Sequence, residues 1–180
     1  MRVMIDACVL YPTVMREVIL GVAATGLFQA RWSDRILEEW ARAARKIGPN
    51  GETIARGEIS LISSRFKDAV VPKHQGLEGR LWLPDGSDIH VLAAAINGSC
   101  DSILTMNAKD FPRNILEEEG LTRCDPDGFL RDFLEDRPDL VTPVADTVLV
   151  EARRLSGADW TMRALMKKAR LPRFGKALTA

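Results

Sequence analysis

The sequence predicts an α/β fold, with a central parallel sheet flanked by helices and a helical C-terminal extension. Short apolar runs that suit buried strands alternate with longer segments in which apolar residues recur at helical spacing. Such alternation favours a parallel sheet covered by helices. The chain has 180 residues, 46% of them hydrophobic, which is enough for one domain with a good core or one domain plus a small appendage.

The first elements follow from local signals. Arg2–Ile5 is predicted as a mostly buried strand, because its apolar run opens the chain and stops at an acid. Pro12 and Thr13 suit the start of a helix that continues to about Ala24. Residues 28–32 form a candidate second strand.

Two further helices are predicted before the middle of the chain. Ser33 is the expected N-cap of a helix that runs to about Lys46, where Gly48–Gly51 breaks the pattern. A second helix is predicted over about 52–67. Residues 69–76 lose the helical period and form a connection without an assigned shape.

The clearest pattern lies in the second half of the chain. Ser87 or Asp88 is a natural cap for an apolar helix over 89–96, and Ser102–Thr105 is predicted as a short buried strand. Residues 126–136 predict another helix.

Composition limits the possible classes of protein. Lys and Arg together number 25, as do Asp and Glu, so the net charge of zero gives no argument about a polyanionic partner. The three cysteines, Cys8, Cys100 and Cys124, are far apart and lack paired spacing, which disfavours a zinc site or a disulfide framework. No apolar run approaches about 18 residues. We therefore expect a soluble cytoplasmic protein without a membrane partner.

Acidic residues stand beside the predicted strand ends and on the predicted helices: Asp6, Glu39, Asp88 and Asp110. In parallel sheets, sites form at the carboxyl ends of strands, where Asp6 and the segment 107–110 would fall. Convergence of carboxylates without a counter-ion is costly, so it would imply a bound cation. Divalent ions can activate water and stabilise negative charge in phosphodiester hydrolysis. The pattern suits a divalent-metal nuclease.

Family motifs surround these acids. They are Ile5-Asp6, the helix from Ser33 to Glu39, Asp88-Ile89-His90-Val91-Leu92-Ala93-Ala94-Ala95, and Thr105-Met106-Asn107-Ala108-Lys109-Asp110-Phe111-Pro112. Over roughly residues 2–130 the chain resembles PIN-domain ribonucleases, most closely the VapC-type toxins of bacterial toxin–antitoxin pairs. The last two motifs are the most specific.

The resemblance implies a role for each matching acid. Asp6 resembles the first metal-binding acid of the family, and Asp88 resembles the third. Glu39 is the choice for the second, because it lies six residues after Ser33 in the matching helix. Glu38 is its competitor, and spacing alone does not exclude it.

The fourth position of the site has two candidates. Asn107 stands where many relatives have an acid, and Asp110 could supply the missing charge. Thr105 resembles a hydroxyl that often supports the site, as Ser33 would by starting the helix of Glu39. The implied catalytic set is Asp6, Glu39, Asp88, Asn107 and Asp110, and the implied metal ligands are Asp6, Asp88, Asp110 and Glu39.

Each of these residues also has an ordinary structural interpretation. An isolated acid at such a position is commonly a turn, cap or surface residue, and it is the ordered set within matching patterns that favours a metal site. His90 lies two residues after Asp88, so we expect it at the surface or in a supporting position. Cys8 is predicted to be a small buried residue. The remaining expectation is a core or interface role for the tryptophans Trp32, Trp40 and Trp82.

The C-terminal segment is basic. Residues 151–180 contain eight basic and two acidic residues, a formal charge of +6, and the first 150 residues therefore carry −6. This segment could bind RNA phosphates or a partner, but a solvated helix face is slightly favoured. Residues 161–170 show helical spacing of apolar residues and are expected to pack.

The resemblance predicts a PIN-like nuclease domain over 1–130 and a helical C-terminal extension over 131–180. It implies an endoribonuclease that depends on Mg²⁺ or Mn²⁺, cleaves RNA, is blocked by a cognate antitoxin and forms homodimers. A PIN nuclease in RNA processing is one alternative. Another is a degenerate PIN domain that binds RNA or protein without cleavage. The uncharged Asn107, at a position where many relatives have an acid, is the feature that supports this alternative.

Overall fold

One sheet of four parallel strands organises the first part of the chain. A computed structural model describes all residues, Met1–Ala180. The strand order is β2-β1-β3-β4. The strands are β1 Arg2–Ile5, β2 Gln29–Arg31, β3 Ser102–Leu104 and β4 Thr122–Cys124.

The central strand β1 is apolar because it is covered on both faces. Val3, Met4 and Ile5 have no solvent exposure. Strands buried on both faces of a parallel sheet are expected to be near-continuous apolar runs rather than alternating ones. Val3 pairs with Ala30 of β2, and Ile5 pairs with Leu104 of β3.

The chain contains ten α-helices. They are α1 Ala7–Leu10, α2 Thr13–Ala24, α3 Asp34–Ala43, α4 Gly51–Arg65, α5 Ile89–Asn97, α6 Arg113–Glu118, α7 Pro126–Asp136, α8 Pro138–Ser156, α9 Met162–Lys168 and α10 Pro172–Ala177. Three 3₁₀ segments cover Ala44–Ile47, Glu78–Arg80 and Gly86–Asp88. No helix combines the length and the apolar content needed to cross a membrane.

The residues pack into two compact units. The sheet unit comprises 1–11 and 29–123, and the helical unit comprises 12–28 and 124–180. In the sheet unit, Trp32 and Trp40 are buried. The helical unit contains an aromatic cluster in which the ring of Phe28 lies 5.0 Å from that of Phe129 and 5.8 Å from that of Phe133. The predicted domain boundary at residue 130 stays a prediction.

Most predicted elements are confirmed. The α/β class with a parallel sheet and a helical C-terminal region is correct. The helix after Ser33 is α only to Ala43 and continues as a 3₁₀ turn to Ile47, a common ending for α-helices. Trp82 is 65% exposed, so a core role for it is wrong.

The C-terminal region is helical, as predicted. Its long helix α8 begins at Pro138, soon after α7 ends, and a proline is tolerated in the first turn of a helix. Helix α9 confirms the expected packing of residues 161–170, since Leu165 and Met166 are buried.

Candidate active site

Asp6 lies at the carboxyl end of β1. Because Ile5 and Leu104 are register partners, the next residues along the two parallel strands, Asp6 and Thr105, lie side by side. The Thr105 hydroxyl donates a 2.6 Å hydrogen bond to Asp6 Oδ2, and both side chains are buried. Asp6 is at the N-cap of α1 but makes no side-chain capping bond. Its carboxylate is therefore directed to the site rather than to the helix backbone.

Cys8 is a partner of Asp6 that the sequence did not reveal. Its half-buried thiol donates to Asp6 Oδ2 at 3.0 Å and accepts from the Met106 amide at 3.3 Å. Burial and, after it, the Asp6 carboxylate raise the pKa of the Cys8 thiol to about 12. Cys8 is consequently a neutral hydrogen-bond donor near pH 7. Its position two residues after Asp6 was the available signal, but a cysteine in such a place more often only packs against its neighbours.

Asp88 occupies the N-cap position of α5 and likewise makes no side-chain capping bond. Asp85 accepts the local hydrogen bonds instead, from the Ser87 amide at 2.9 Å and the Ser87 hydroxyl at 2.7 Å. Partial burial raises the pKa of Asp88 to about 6, and neighbouring carboxylates add to the shift: Asp6, Asp85, Asp110 and Glu39. Asp88 thus lies in a region of excess negative charge.

Glu39 lies on α3, whose start is set by Ser33. Ser33 is the N-cap, as predicted, and its hydroxyl accepts a 3.3 Å hydrogen bond from the Ile36 amide. The Glu39 carboxylate is close enough to Asp88 to contribute to its raised pKa. The Arg35 Nε atom lies 3.5 Å from Glu39 Oε1, with both side chains partly exposed.

Glu38 has different neighbours. It forms salt bridges with Arg42 at 2.8 Å and with Arg56 at 2.9 Å. The guanidinium groups of Arg56 and Arg42 lower the pKa of Glu38 to about 2. Of the two adjacent glutamates, Glu38 is neutralised by arginines, whereas Glu39 joins the carboxylates around Asp88.

His90 was expected either at the surface or in a supporting position. It is only 4% exposed, so the surface alternative is wrong, and the supporting position stays a prediction. Its Nε2 atom lies 2.8 Å from Glu39 Oε1, but the geometry of the ring is not that of an aligned hydrogen bond. Helix α5 is buried around most of its circumference. His90 is therefore buried even though it lies on a different side of the helix from Asp88.

Asn107 and Asp110 lie on one turn after β3. The Asn107 amide donates to Thr105 Oγ1 at 3.0 Å, and the Asp110 amide donates to the Asn107 carbonyl at 3.1 Å. Asn107 is exposed and Asp110 is half-buried. Only Asp110 carries charge, and it contributes to the raised pKa of Asp88.

Comparison with known families identifies the domain. A family model described as PIN domain matches residues 2–109, which is more than half of the chain. The chain belongs to the PIN-domain family. No curated protein and no solved structure gives a significant match. The predicted resemblance to PIN domains is confirmed. The closer resemblance to VapC-type toxins is not confirmed and stays a prediction.

Membership of the family gives a general function. PIN domains are generally nucleases, so a hydrolytic nuclease is supported, and PIN-domain nucleases generally use divalent metals. The matched residues include Asp6, Glu39, Asp88 and Asn107, and they end immediately before Asp110.

The donor chemistry of this PIN domain fits a hard divalent cation. Carboxylate oxygens are the ligands that Mg²⁺ and Mn²⁺ prefer, and four neighbouring carboxylates add to the effect of burial in raising the pKa of Asp88. No three His, Cys, Asp or Glu side chains are arranged to hold a metal ion in the structure. The carboxylates are near enough to affect the pKa of Asp88, but their oxygens are not positioned as one set of metal ligands.

Proposed function

We propose that this PIN domain is a divalent-metal-dependent endoribonuclease and the toxin of a toxin–antitoxin pair. The observation that carries the nuclease proposal is the pair of aspartates Asp6 and Asp88. Both stand at helix starts without capping the helix, and both belong to a group of carboxylates with excess negative charge. The toxin assignment is supported by the motif resemblance alone.

In this proposal Mg²⁺ or Mn²⁺ would be held by Asp6, Asp88 and Asp110, with Glu39 completing the site. The chemistry supplied by the bound ion is Lewis-acid activation of water and neutralisation of charge on the phosphodiester.

The surrounding residues keep the carboxylates in position. Thr105 and Cys8 donate to the same oxygen of Asp6, Oδ2, which fixes the orientation of the carboxylate and leaves Oδ1 available. Because Thr105 also accepts from the Asn107 amide, the turn that carries Asn107 is coupled to Asp6. The exposed Asn107 side chain can then hydrogen-bond to RNA, since an amide both donates and accepts.

A second candidate function is RNA or protein binding without cleavage. Two observations favour it: Asn107 is uncharged, and no three acidic side chains are arranged as a metal site. The two functions differ in one measurable respect, because only the nuclease requires an ion for turnover.

The deciding experiment is cleavage of a single-stranded RNA by the full chain with Mg²⁺, Mn²⁺ or EDTA. We expect cleavage with either ion, none in EDTA, and none of a DNA of the same sequence. Asp88→Asn should lower the cleavage rate about 100- to 1,000-fold, whereas Glu38→Gln, whose carboxylate is paired with arginines, is the matched control. Binding without cleavage, or cleavage that persists in EDTA, would contradict the proposal.

The toxin assignment needs a separate test in cells. Expression of the wild-type chain should arrest growth, and co-expression of the protein encoded beside it should restore growth. Arrest that persists in the Asp88→Asn variant would show that nuclease activity is not the cause.

A further inference from the structure

A cavity of about 370 Å³ adjoins the Glu39 side of the candidate active site. Its wall is formed by the start of α3, by residues 72–74 of the connection after α4, and by α5. His90 lines this cavity, and the Nε2 atom of the same imidazole lies 2.8 Å from Glu39 Oε1. A molecule in the cavity would therefore be separated from the acidic group by a single side chain.

Part of the cavity wall is apolar and is formed by small residues. Pro72, Ala93 and Ala94 contribute small apolar surfaces, and the alanines leave open the space that a larger residue on α5 would fill. The volume falls within the range of about 300 to 1,000 Å³ that small-molecule sites occupy.

One buried polar group in the wall has a nitrogen without a partner. The His90 side chain is more than nine-tenths buried, its Nδ1 atom has no hydrogen-bond partner, and its Nε2 atom has only the misaligned 2.8 Å contact with Glu39 Oε1. Leaving such a group without a partner costs free energy, so a ligand that hydrogen-bonds to it would be favoured. Ser33 also lines the cavity, and its hydroxyl proton remains available while its oxygen accepts from the Ile36 amide.

The charges around the cavity argue against a simple anion site. Arg35 and Lys73 both lie near Glu78, with nitrogen–oxygen distances of 3.6 and 3.9 Å. Asp34 adds a second carboxylate to the wall. Because the cations are already shared with an acid, a phosphate alone would gain little, whereas an uncharged heterocycle meets no such competition.

We propose that this cavity binds one unpaired nucleobase of the RNA substrate, next to the phosphodiester at the acidic group. The inference rests on the proposed nuclease function for its substrate. Proteins hold unstacked bases by packing aromatic side chains, His among them, or apolar side chains against the base face and by hydrogen bonding along the base edge. The cavity thus gives the nuclease a preference for the nucleotide beside the cleaved bond.

The first test detects the base directly. Adenosine, cytidine, guanosine and uridine are titrated separately into the wild-type protein in EDTA, while NMR follows the methyl signals of Ala93 and Ala94. We expect at least one nucleoside to shift both signals saturably, and ribose 5-phosphate, which lacks a base, to leave them unchanged. Equal shifts with ribose 5-phosphate, or no shift with any nucleoside, would overturn the proposal.

The second test fills the cavity. Ala94→Leu should weaken binding of a single-stranded RNA in EDTA about tenfold, the loss expected for one stacked base. With metal present, it should also flatten the preference for the nucleotide beside the cleaved bond. Ala169→Leu is the matched control, since Ala169 lines a different cavity of about 370 Å³ in the helical unit. Unchanged affinity in folded Ala94→Leu would overturn the proposal.

The outcomes separate this inference from the nuclease function. If the wild-type protein binds nucleosides and RNA through the cavity but never cleaves, the nuclease proposal fails and the base site stands. If it cleaves with metal and Ala94→Leu changes neither affinity nor site preference, the base site fails and the nuclease stands.

Discussion

Aspartates occupy the starts of helices in both compact units, but their carboxylates have different hydrogen-bond partners. In the helical unit, Asp125 caps α7 by accepting from the Gly128 amide at 2.9 Å and also binds Arg173 at 2.7 Å. In the sheet unit, Asp6 and Asp88 occupy equivalent N-cap positions and cap nothing. Three aspartates therefore share the helix-start position, and the absence of a capping hydrogen bond separates the two candidate site residues from Asp125.

The same contrast recurs between close neighbours within the sheet unit. Asp85 accepts the local hydrogen bonds that Asp88, three residues later, does not. Glu38 forms close salt bridges with two arginines, whereas Glu39 has a longer contact with Arg35 and contributes to the raised pKa of Asp88. Substitutions at these positions test which carboxylates RNA cleavage requires.

The largest effect is expected from the uncapped aspartates. Asp6→Asn and Asp88→Asn should each lower the rate of RNA cleavage about 100- to 1,000-fold, as expected for loss of a charge at the reacting centre. The melting temperature of Asp88→Asn should be unchanged or higher, because the neutral amide relieves repulsion among the carboxylates. Single-turnover cleavage and circular dichroism measure the two quantities. If both variants cleaved RNA at the wild-type rate, the uncapped aspartates of the sheet unit would not be needed for cleavage.

The next effect concerns stability in the helical unit. The buried Asp127 carboxylate accepts from the Arg173 amide at 3.0 Å, from Arg173 Nε at 3.1 Å and from the Phe174 amide at 2.8 Å. Asp127→Ala should lower the free energy of unfolding by about 2 kcal/mol, because it leaves buried donors without partners. Urea denaturation measures this loss.

Two controls accompany the Asp127→Ala variant: its rate of RNA cleavage, and the stability of a variant at an exposed position on the same helix. RNA cleavage by folded Asp127→Ala should match the wild type, and Asp132→Ala, at an exposed ion pair on the same helix, should leave stability nearly unchanged. If Asp132→Ala destabilised the protein as much as Asp127→Ala, burial would not explain the effect.

A smaller effect should separate the adjacent glutamates. Glu39→Gln should lower the cleavage rate about tenfold, the lower end for a residue that orients a metal site. Glu38→Gln should leave the rate within about twofold, since exposed ion pairs contribute little. Both rates are measured at saturating metal. The reverse order would make Glu38 the functional residue.

The smallest effect is the pH dependence of stability at Asp88. Its pKa is raised from 3.8 to about 6 in the folded protein by burial and by Asp6, Asp85, Asp110 and Glu39. The unfolded chain releases this proton at lower pH, so the metal-free protein should lose stability as pH rises from 3.8 to about 6. Asp88→Asn should reduce that loss in urea titrations at several pH values. Parallel wild-type and variant curves would exclude a raised pKa.

Local patterns were sufficient to predict much of the fold and part of the site. The strand ending at Asp6 and the helix beginning after Asp88 are encoded by neighbouring residues, so periodicity and capping signals located both. Glu39 could not be separated from Glu38 in this way, because the difference lies in Arg56, which is distant in sequence.

Features that depend on long-range packing were inaccessible to sequence patterns. The burial of His90 follows from the environment of α5 on nearly every side, and the contacts of Cys8 follow from the register between β1 and β3. Asn107 and Asp110 share one turn, so the sequence and the structure both retain two candidates for the fourth position.

The pairing of Asp6 with Thr105 also has a consequence for synthesis on the ribosome. The two residues are 99 positions apart, and their hydrogen bond requires β1 and β3 to be paired. A growing chain that has not yet exposed β3 holds Asp6 but cannot orient its carboxylate. The delay would protect the message being translated, since the nuclease proposed here could not act before most of its own sequence had been read.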